Sequence, residues 1–252
     1  MGTPKRRIAL VLLMTAVVTL TAAQAPLKKS KRSAQRGEAE IRRNVHEVLR
    51  VRGDHDLFAT AGHVGNKETF TILLERLRAD YGEYEPPPVA PRLVSGVICT
   101  HAHLAQSMSM ITNTDEGLYY PRWITWWEKN RALSQREWVL NGFAAQGLHV
   151  ADPINKRFAL ELLGLLGDKR FYVAFNAKRL LRHVSARDRA RWITTAASSD
   201  NRGQRLGAIL ALRDIDRAGH EDTLRRLAAD SDVEVRDVAL STLNTRLRSS
   251  RK

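Results

Sequence analysis

Residues 230–240 read Asp-Ser-Asp-Val-Glu-Val-Arg-Asp-Val-Ala-Leu, which combines capping residues with an amphipathic helical pattern. The same pattern recurs twice upstream at a period of 31 residues. The matched positions are a first row of Val173, Gln204 and Val235, a row of alanines at Ala177, Ala208 and Ala239, and a row of leucines at Leu181, Leu212 and Leu243. The alanines let a neighbouring helix approach and the leucines fill the space beneath them, so we expect these rows to pack the repeats together.

A second helical segment precedes each copy of this pattern, at residues 157–166, 187–197 and 221–229. The repeating unit is therefore predicted to be a helical hairpin. One hairpin cannot bury the apolar faces of both its helices, whereas a stack of hairpins can. Because the chain shows no alternating strand pattern of useful length, the predicted fold class is all-α, an α-α superhelix or solenoid.

The C-terminal copy, residues 230–240 with Leu243, is similar to the second half of a HEAT repeat. The central stretch resembles bacterial exported HEAT-repeat proteins, in which an Ile-Thr pair and an Asp-x-Gly turn precede a Trp-x-x-Trp-Trp helix. The residues that carry this resemblance are Ile111-Thr112, Asp115-Glu116-Gly117, Trp123-Ile124-Thr125-Trp126-Trp127, Trp138 and Gly142-Phe143. The resemblance spans about residues 66–247 and departs from the repeat pattern at Lys178 and Gln204. It implies a HEAT-like, armadillo-type scaffold for protein–protein contact and brings no catalytic residue.

The first 25 residues have the pattern of a secretory signal peptide. Lys5, Arg6 and Arg7 precede an uncharged run at residues 8–23, and Ala23-Gln24-Ala25 places small residues where a signal peptidase cuts. We therefore expect export to the periplasm or the medium. An uncleaved membrane anchor is one alternative, although the run is shorter than the roughly 20 residues that span a bilayer. A buried helix is another.

Residues 26–43 are rich in lysine and arginine and poor in apolar residues, so they are predicted to form a basic linker. This linker would act as a spacer, or it would lie against an anionic membrane surface, where each basic residue contributes about 1 kcal/mol. The rest of the chain, residues 44–252, is predicted to form the solenoid, with divergent helices at 44–150 and three clearer repeats at 151–252.

Helical spacing in the divergent region starts at Ile41 and resumes around residues 70–77. Glycine-containing breaks are predicted between these two helices, and Asn66 is expected to cap the second one. Consecutive prolines at residues 86–88 end that helix. A third helix is predicted over about residues 92–111.

Trp123, Trp126 and Trp127 lie at positions i, i+3 and i+4, so they share one face of a helix. We expect this structural aromatic cluster to pack in the core. The alternative is an aromatic platform that stacks sugars or bases, which basic residues nearby would assist.

Histidine and cysteine residues in this chain do not form a metal or catalytic pattern. His101 and His103 are two residues apart, which directs them about 160° apart on a helix. His55 and His63 are placed in predicted loops without a specific ligand spacing. Cys99 is the single cysteine, and its apolar neighbours predict a buried, unreactive thiol. Because protease, hydrolase, phosphate-loop and dinucleotide motifs are also missing from the sequence, we expect no catalytic residue, metal or cofactor.

Charge is the remaining functional signal in the sequence. The formal net charge is +14, and residues 156–252 hold 21 basic against 12 acidic residues. Since successive solenoid helices present one continuous surface, arginines there are candidates for binding a partner. The candidates are Arg179, Arg182, Arg202, Arg205, Arg213, Arg225 and Arg226. The alternative is a solvated face whose arginines pair with nearby aspartates.

These patterns predict a non-enzymatic, exported scaffold that binds a protein partner. The first alternative is a basic groove that binds an anionic polymer, either nucleic acid or an acidic glycan of the cell envelope. A third class is an enzyme whose pocket is built around the tryptophans.

Overall fold

The computed structural model describes residues 31–51, 55–82, 95–216 and 220–249. These ranges contain helices and no strand, which confirms the all-α class. The chain divides into two units, residues 1–41 and 42–252, and the predicted signal peptide lies outside the described residues. Every helix within the described ranges is too short or too polar to span a bilayer. The helices are α1 Lys31–Val51, α2 His55–Val64, α3 Lys67–Tyr81, α4 Ser95–Thr112, α5 Tyr120–Asn130, α6 Gln135–Ala144, α7 Lys156–Gly164, α8 Phe171–Arg182, α9 Ala186–Ala196, α10 Arg202–Asp214, α11 Glu221–Leu227 and α12 Val233–Ser249.

The predicted start of the first helix at Ile41 is wrong, because α1 already begins at Lys31. Residues 31–43 of the predicted linker are therefore helical. Lysine, arginine, alanine, glutamine and glutamate dominate this stretch, and all of them have high intrinsic helix propensity. The charge pattern was typical of a linker, but the propensity of the same residues favours a helix.

The predicted interruption between the first two helices instead contains α2, which places His55 and His63 on a helix rather than in loops. Gly62 has a packing role there. A β-carbon at Gly62 would lie 2.8 Å from Met110 Sδ and 3.1 Å from Ser107 Cα on α4. The glycine therefore permits close contact between α2 and α4 instead of ending a helix.

Side-chain caps fix where several helices begin. Asn66 accepts a hydrogen bond from Thr69 N at 3.0 Å, and Thr69 Oγ1 accepts one from Asn66 N at 3.0 Å, which confirms the predicted cap of α3. Ser134 and Glu137 form the same reciprocal arrangement at the start of α6. Such caps satisfy backbone donors that the first helical turn leaves unpaired.

Helix α4 is the centre of the N-terminal packing. It contacts α2, α3 and α6, and it also contacts α8 of the first C-terminal hairpin. Leu104, Met108 and Ile111 of α4 are buried in these contacts, as are Phe58 of α2 and Leu73 of α3. The first hairpin is thus joined to the preceding helices through α4.

Three helical hairpins follow, formed by α7 with α8, α9 with α10, and α11 with α12. Their second helices begin at Phe171, Arg202 and Val233, at the same spacing as the sequence repeat. The turns before these helices share one hydrogen bond, from the backbone N–H of the capping residue to a side-chain oxygen two positions earlier. The bonds are Arg170 N to Asp168 Oδ1 at 2.8 Å, Asn201 N to Ser199 Oγ at 3.1 Å, and Asp232 N to Asp230 Oδ1 at 2.9 Å. The repeat is therefore present in the backbone geometry of the turns.

The predicted packing rows lie mainly inside the C-terminal core. Ala177, Leu181, Ala208, Leu212 and Ala239 are buried, and Leu243 is partly buried against them. Neighbouring hairpins contact each other through α7 with α9, α7 with α10, and α10 with α12.

Helices α7 and α10 approach each other closely at Gly207, beside the predicted alanine row. A β-carbon there would lie only 1.8 Å from the carbonyl oxygen of Leu163 on α7. Glycine is required at this position because any side chain would overlap the backbone of the neighbouring helix.

Candidate partner-binding groove

A groove of about 420 Å³ opens on the surface between α2, α4, α8 and α10. Its lining combines apolar and charged side chains from segments far apart in the sequence. The lining residues are His63, Met110, Leu166, Asp168, Phe171, Ala174, Phe175, Lys178, Leu210, Asp214 and Ile215. We refer to this site as the α8 groove, because α8 contributes more of its lining than any other helix.

Two phenylalanines give the α8 groove its apolar character. Phe171 and Phe175 are one helical turn apart on α8, so they lie on the same face. Phe171 is 42% exposed, which is unusual for so large an apolar side chain. Phe175 packs edge-to-face with the His63 ring at a centroid distance of 5.2 Å. Burial lowers the pKa of His63, and the charge of Lys178 lowers it further, so this ring is neutral near pH 7.

An ion pair forms the polar side of the α8 groove. Lys178 Nζ donates to Asp214 Oδ2 at 2.8 Å, and Arg213 Nε donates to Asp214 Oδ1 at 2.9 Å. Burial alone would raise the pKa of Asp214, but the hydrogen bonds from Arg213 and Lys178 outweigh it, so this pKa is lowered. The groove therefore presents aromatic surface beside a carboxylate that two cations hold in place.

The tryptophans form a separate cluster around Phe70 of α3. The rings of Trp123, Trp126 and Trp127 lie 5.3–5.8 Å from the Phe70 ring, and Trp138 lies 5.6 Å from it. Trp123 is fully buried, whereas Trp126 and Trp127 are partly buried. The cluster ties α5 and α6 to α3, as expected of core packing, and none of its members lines the α8 groove.

Two of the predicted partner-binding arginines instead join neighbouring hairpins. Arg205 donates to both carboxylate oxygens of Asp230, at 2.8 and 3.1 Å. Arg202 donates to Asp232 at 2.8 Å and also to Glu234. Both arginines therefore connect α10 to the turn and first residues of α12.

The other predicted arginines lie at several separate places. Arg213 pairs with Asp214 at the edge of the α8 groove, and Arg182 donates to the carbonyl oxygen of Asp214 at 3.4 Å. Arg179 lines a different depression, of about 160 Å³, together with residues of α6.

Helix α11 carries the last two of these arginines. Arg225 pairs with Glu221 at 3.1 Å and with Asp222 at 2.8 Å on its own helix, and Arg226 is exposed. Ion pairs thus offset the charge of Arg202, Arg205, Arg213 and Arg225, and the seven candidates are not gathered at one site.

A buried histidine holds the start of α3 against α1. His46 Nε2 lies 2.7 Å from Thr69 Oγ1, and His46 Nδ1 lies 3.4 Å from Glu68 Oε1. Burial lowers the pKa of His46, the negative charge of Glu68 opposes this, and the positive charges of Arg50 and Arg42 add to the lowering. Because Thr69 is fully buried, its hydroxyl serves the helix cap and is closed to a substrate.

The remaining histidines do not assemble a metal site. His103 packs against the His55 ring at 3.8 Å, while His101 Nε2 lies 2.5 Å from the carbonyl oxygen of Leu118. Among the described residues, no three His, Cys, Asp or Glu side chains come together to hold a metal ion. The Cys99 side chain lies outside the described residues, so its predicted burial stays a prediction.

No family model, curated protein or solved structure matches this chain. The α8 groove therefore has to be interpreted from its own geometry.

The sequence did not predict that Phe171, Phe175 and His63 belong to one site. One signal was present: Lys178, where the chain departs from the repeat pattern, is a lining residue of the groove.

Proposed function

We propose that this chain is a non-enzymatic, exported, HEAT-like α-solenoid that serves as a scaffold and binds a segment of a partner protein in the α8 groove. The solenoid is supported by the equal spacing of the three hairpin starts and by the contacts between neighbouring hairpins. The HEAT-like pattern supports a role in protein–protein contact, since such stacked hairpins offer extended binding surfaces.

The exposure of Phe171 is the observation that carries the binding proposal. An aromatic side chain beside a concave apolar surface is typical of the anchor points at which partners bind. A volume of about 420 Å³ lies within the range of ligand-binding clefts and accommodates an apolar side chain of a bound segment. The Lys178–Asp214 pair offers donors and acceptors to the backbone of that segment.

The pairing of the arginines favours a protein partner over an anionic polymer. A polymer-binding surface needs cations available to neutralise successive phosphates or carboxylates. Arg202 and Arg205 are already bonded to Asp230, Asp232 and Glu234. Binding a polyanion there would require breaking these bonds between hairpins.

Site-specific crosslinking tests the groove directly. A photo-crosslinking amino acid replaces Phe171 in cells that naturally express the protein, and a matched variant carries it at Val51, which is 80% exposed on α1. We expect one defined crosslinked protein from position 171 and none of that mass from position 51. Equal crosslinking from both positions would contradict the proposal. Retention of the purified protein on heparin or DNA with a steep salt dependence, and no crosslink at 171, would establish the polymer-binding alternative.

Export is a separate part of the proposal and rests on the sequence of residues 1–25. Cleavage after Ala25 leaves Pro26 as the first residue of the mature chain. N-terminal sequencing of the protein from periplasmic or secreted fractions should therefore start at Pro26. An anchored form would keep Met1 and sediment with membranes, and recovery of the intact chain from the cytosol would refute both forms.

A further inference from the structure

Helix α12 carries a row of apolar side chains that are about half exposed to solvent. Val233, Leu240 and Leu247 are 59%, 43% and 52% exposed, so they account for three of the large apolar side chains most open to solvent. They are seven residues apart, which places them in line along one side of the helix. The row runs for about 21 Å at the rise of an α-helix.

The repeat register indicates that this face is built to pack against another helix. Ile209 occupies the position on α10 that Leu240 occupies on α12, because both follow the first residue of their helix by seven. Ile209 is fully buried, and α10 packs against α12 of the next hairpin. Leu240 is therefore an aliphatic residue at a position that is buried in the preceding hairpin, yet it is 43% exposed.

A second row beside the apolar one has the charge order of a surface that complements itself. Glu234, Ser241 and Arg248 are each one position after a member of the apolar row, and all three are exposed. This row is acidic at the N-terminal end, where Glu234 and Asp232 share the single cation of Arg202, neutral in the middle and basic at the C-terminal end. A second α12 running antiparallel places its basic end against the acidic end of the first, whereas a parallel one opposes like charges.

The centre of the face fits the same two-fold arrangement. Asp237 and Asn244 are exposed and lie on either side of Leu240 and Ser241. Antiparallel pairing about this centre brings Asp237 near the Asn244 of the other copy, so that an amide donor meets a carboxylate acceptor. Polar groups between the rows thus obtain partners instead of remaining unpaired in the contact.

We propose that the chain forms a symmetric dimer in which α12 packs antiparallel on α12 of a second copy, about a two-fold axis at Leu240 and Ser241. Val233 of each copy then packs beside Leu247 of the other, and Glu234 faces Arg248 of the other. An isologous contact of this kind closes at two copies. One helix pair buries an area near the low end of specific interfaces, below about 1,200 Å² in total, so the dimer dissociates on dilution.

Analytical ultracentrifugation of the protein expressed from the full sequence measures this association over a range from micromolar to submillimolar concentration. Wild type should shift from monomer to dimer, and Leu240→Glu should weaken the association constant at least about tenfold, because it places a carboxylate at the two-fold axis. Val51→Glu changes another exposed valine on α1 and should associate like wild type. A monomer at every concentration, or equal effects of the two substitutions, would overturn the proposal.

Charge reversal tests the antiparallel orientation independently of the apolar row. Arg248→Glu should weaken dimerisation, whereas Arg248→Lys, which keeps a cation opposite Glu234, should retain most of the wild-type association constant. An equal loss in both variants, while each keeps the wild-type melting temperature, would exclude this pairing. The dimer does not depend on the α8 groove, so the crosslinking result at Phe171 leaves it unaffected.

Discussion

Replacing Gly207 by alanine should separate α10 from α7 and destabilise the C-terminal core. The new β-carbon would lie 1.8 Å from the carbonyl oxygen of Leu163 and 2.5 Å from its carbonyl carbon. Both are backbone atoms, so no change of rotamer relieves the overlap. Even a separation of 3.0 Å, which is tighter than most real contacts, requires the two helices to move apart by about 1.2 Å.

Two opposing effects set the size of this change. Alanine gains about 1 kcal/mol over glycine within a helix. Against this, overpacking costs about 1–3 kcal/mol or more, and a gap of about 1 Å removes up to half of the dispersion energy of the contacts it opens. The buried neighbours Leu163, Ala208 and Leu212 all belong to this core. We therefore expect a net loss of about 2 kcal/mol in the free energy of unfolding, which lowers the melting temperature by about 4–8 °C.

Gly164 on α7 provides the matched control for this experiment. It lies near the same interface, but a β-carbon there would be 3.7 Å from its nearest neighbour, Gln204 Cγ, at an ordinary contact distance. Urea unfolding followed by far-ultraviolet circular dichroism should show a lower midpoint for Gly207→Ala and an unchanged or higher one for Gly164→Ala. Equal midpoints for the two variants would show that α7 and α10 do not approach each other as in this structure.

Two further predictions concern the start of α3 and the alanine row. His46 has its pKa lowered by burial from the ordinary value of 6.5, so the unfolded chain takes up this proton first as pH falls. The free energy of unfolding should therefore decline as the pH falls below about 6.5, until the pH is below the pKa of His46 in the folded chain. In urea titrations at several pH values, His46→Gln should reduce the slope of the free energy of unfolding against pH. An unchanged slope would assign the decline to other groups. Ala239→Arg places a long cation at a fully buried site and should cost more than about 2 kcal/mol, whereas a wild-type melting curve would refute the register.

The helical hairpins could be predicted because their signals are local and repeated. A capping residue followed seven and eleven positions later by alanine and leucine describes the same backbone turn and buried face each time. The hydrogen bonds of Arg170 N, Asn201 N and Asp232 N at one spacing show that the period follows backbone geometry. Fold class therefore follows from short-range chemistry in this chain.

The roles predicted for one glycine and for two arginines were wrong because those roles depend on residues far away in the sequence. The sequence around Gly62 predicts a break between helices, but Gly62 lies within α2, where it packs closely against Met110 and Ser107 of α4. Arg202 and Arg205 were predicted to bind a partner, but they form hydrogen bonds to Asp232 and Asp230 of the next hairpin. Neither partner is close in sequence, so a linear pattern cannot distinguish the two roles.

The α8 groove could not be predicted for the same reason. His63 comes from α2 and Phe171 from α8, and α4 contacts both of these helices. The sequence showed the aromatic spacing of α8 but not the neighbouring surface that makes it concave. Concavity is a property of tertiary packing, and binding sites depend on it.

One repeat position, occupied by Lys178, Ile209 and Leu240, meets three different environments in the successive hairpins. Ile209 is buried in the core, which is the environment that the repeat prescribes. Lys178 reaches Asp214 at the α8 groove, so the cation occurs where that position lines a groove. Leu240 keeps the aliphatic type yet remains exposed on α12. A residue that needed only solvation would be polar at that position, as Lys178 is. The retained leucine is therefore the reason to expect a second helix on this face and not merely water.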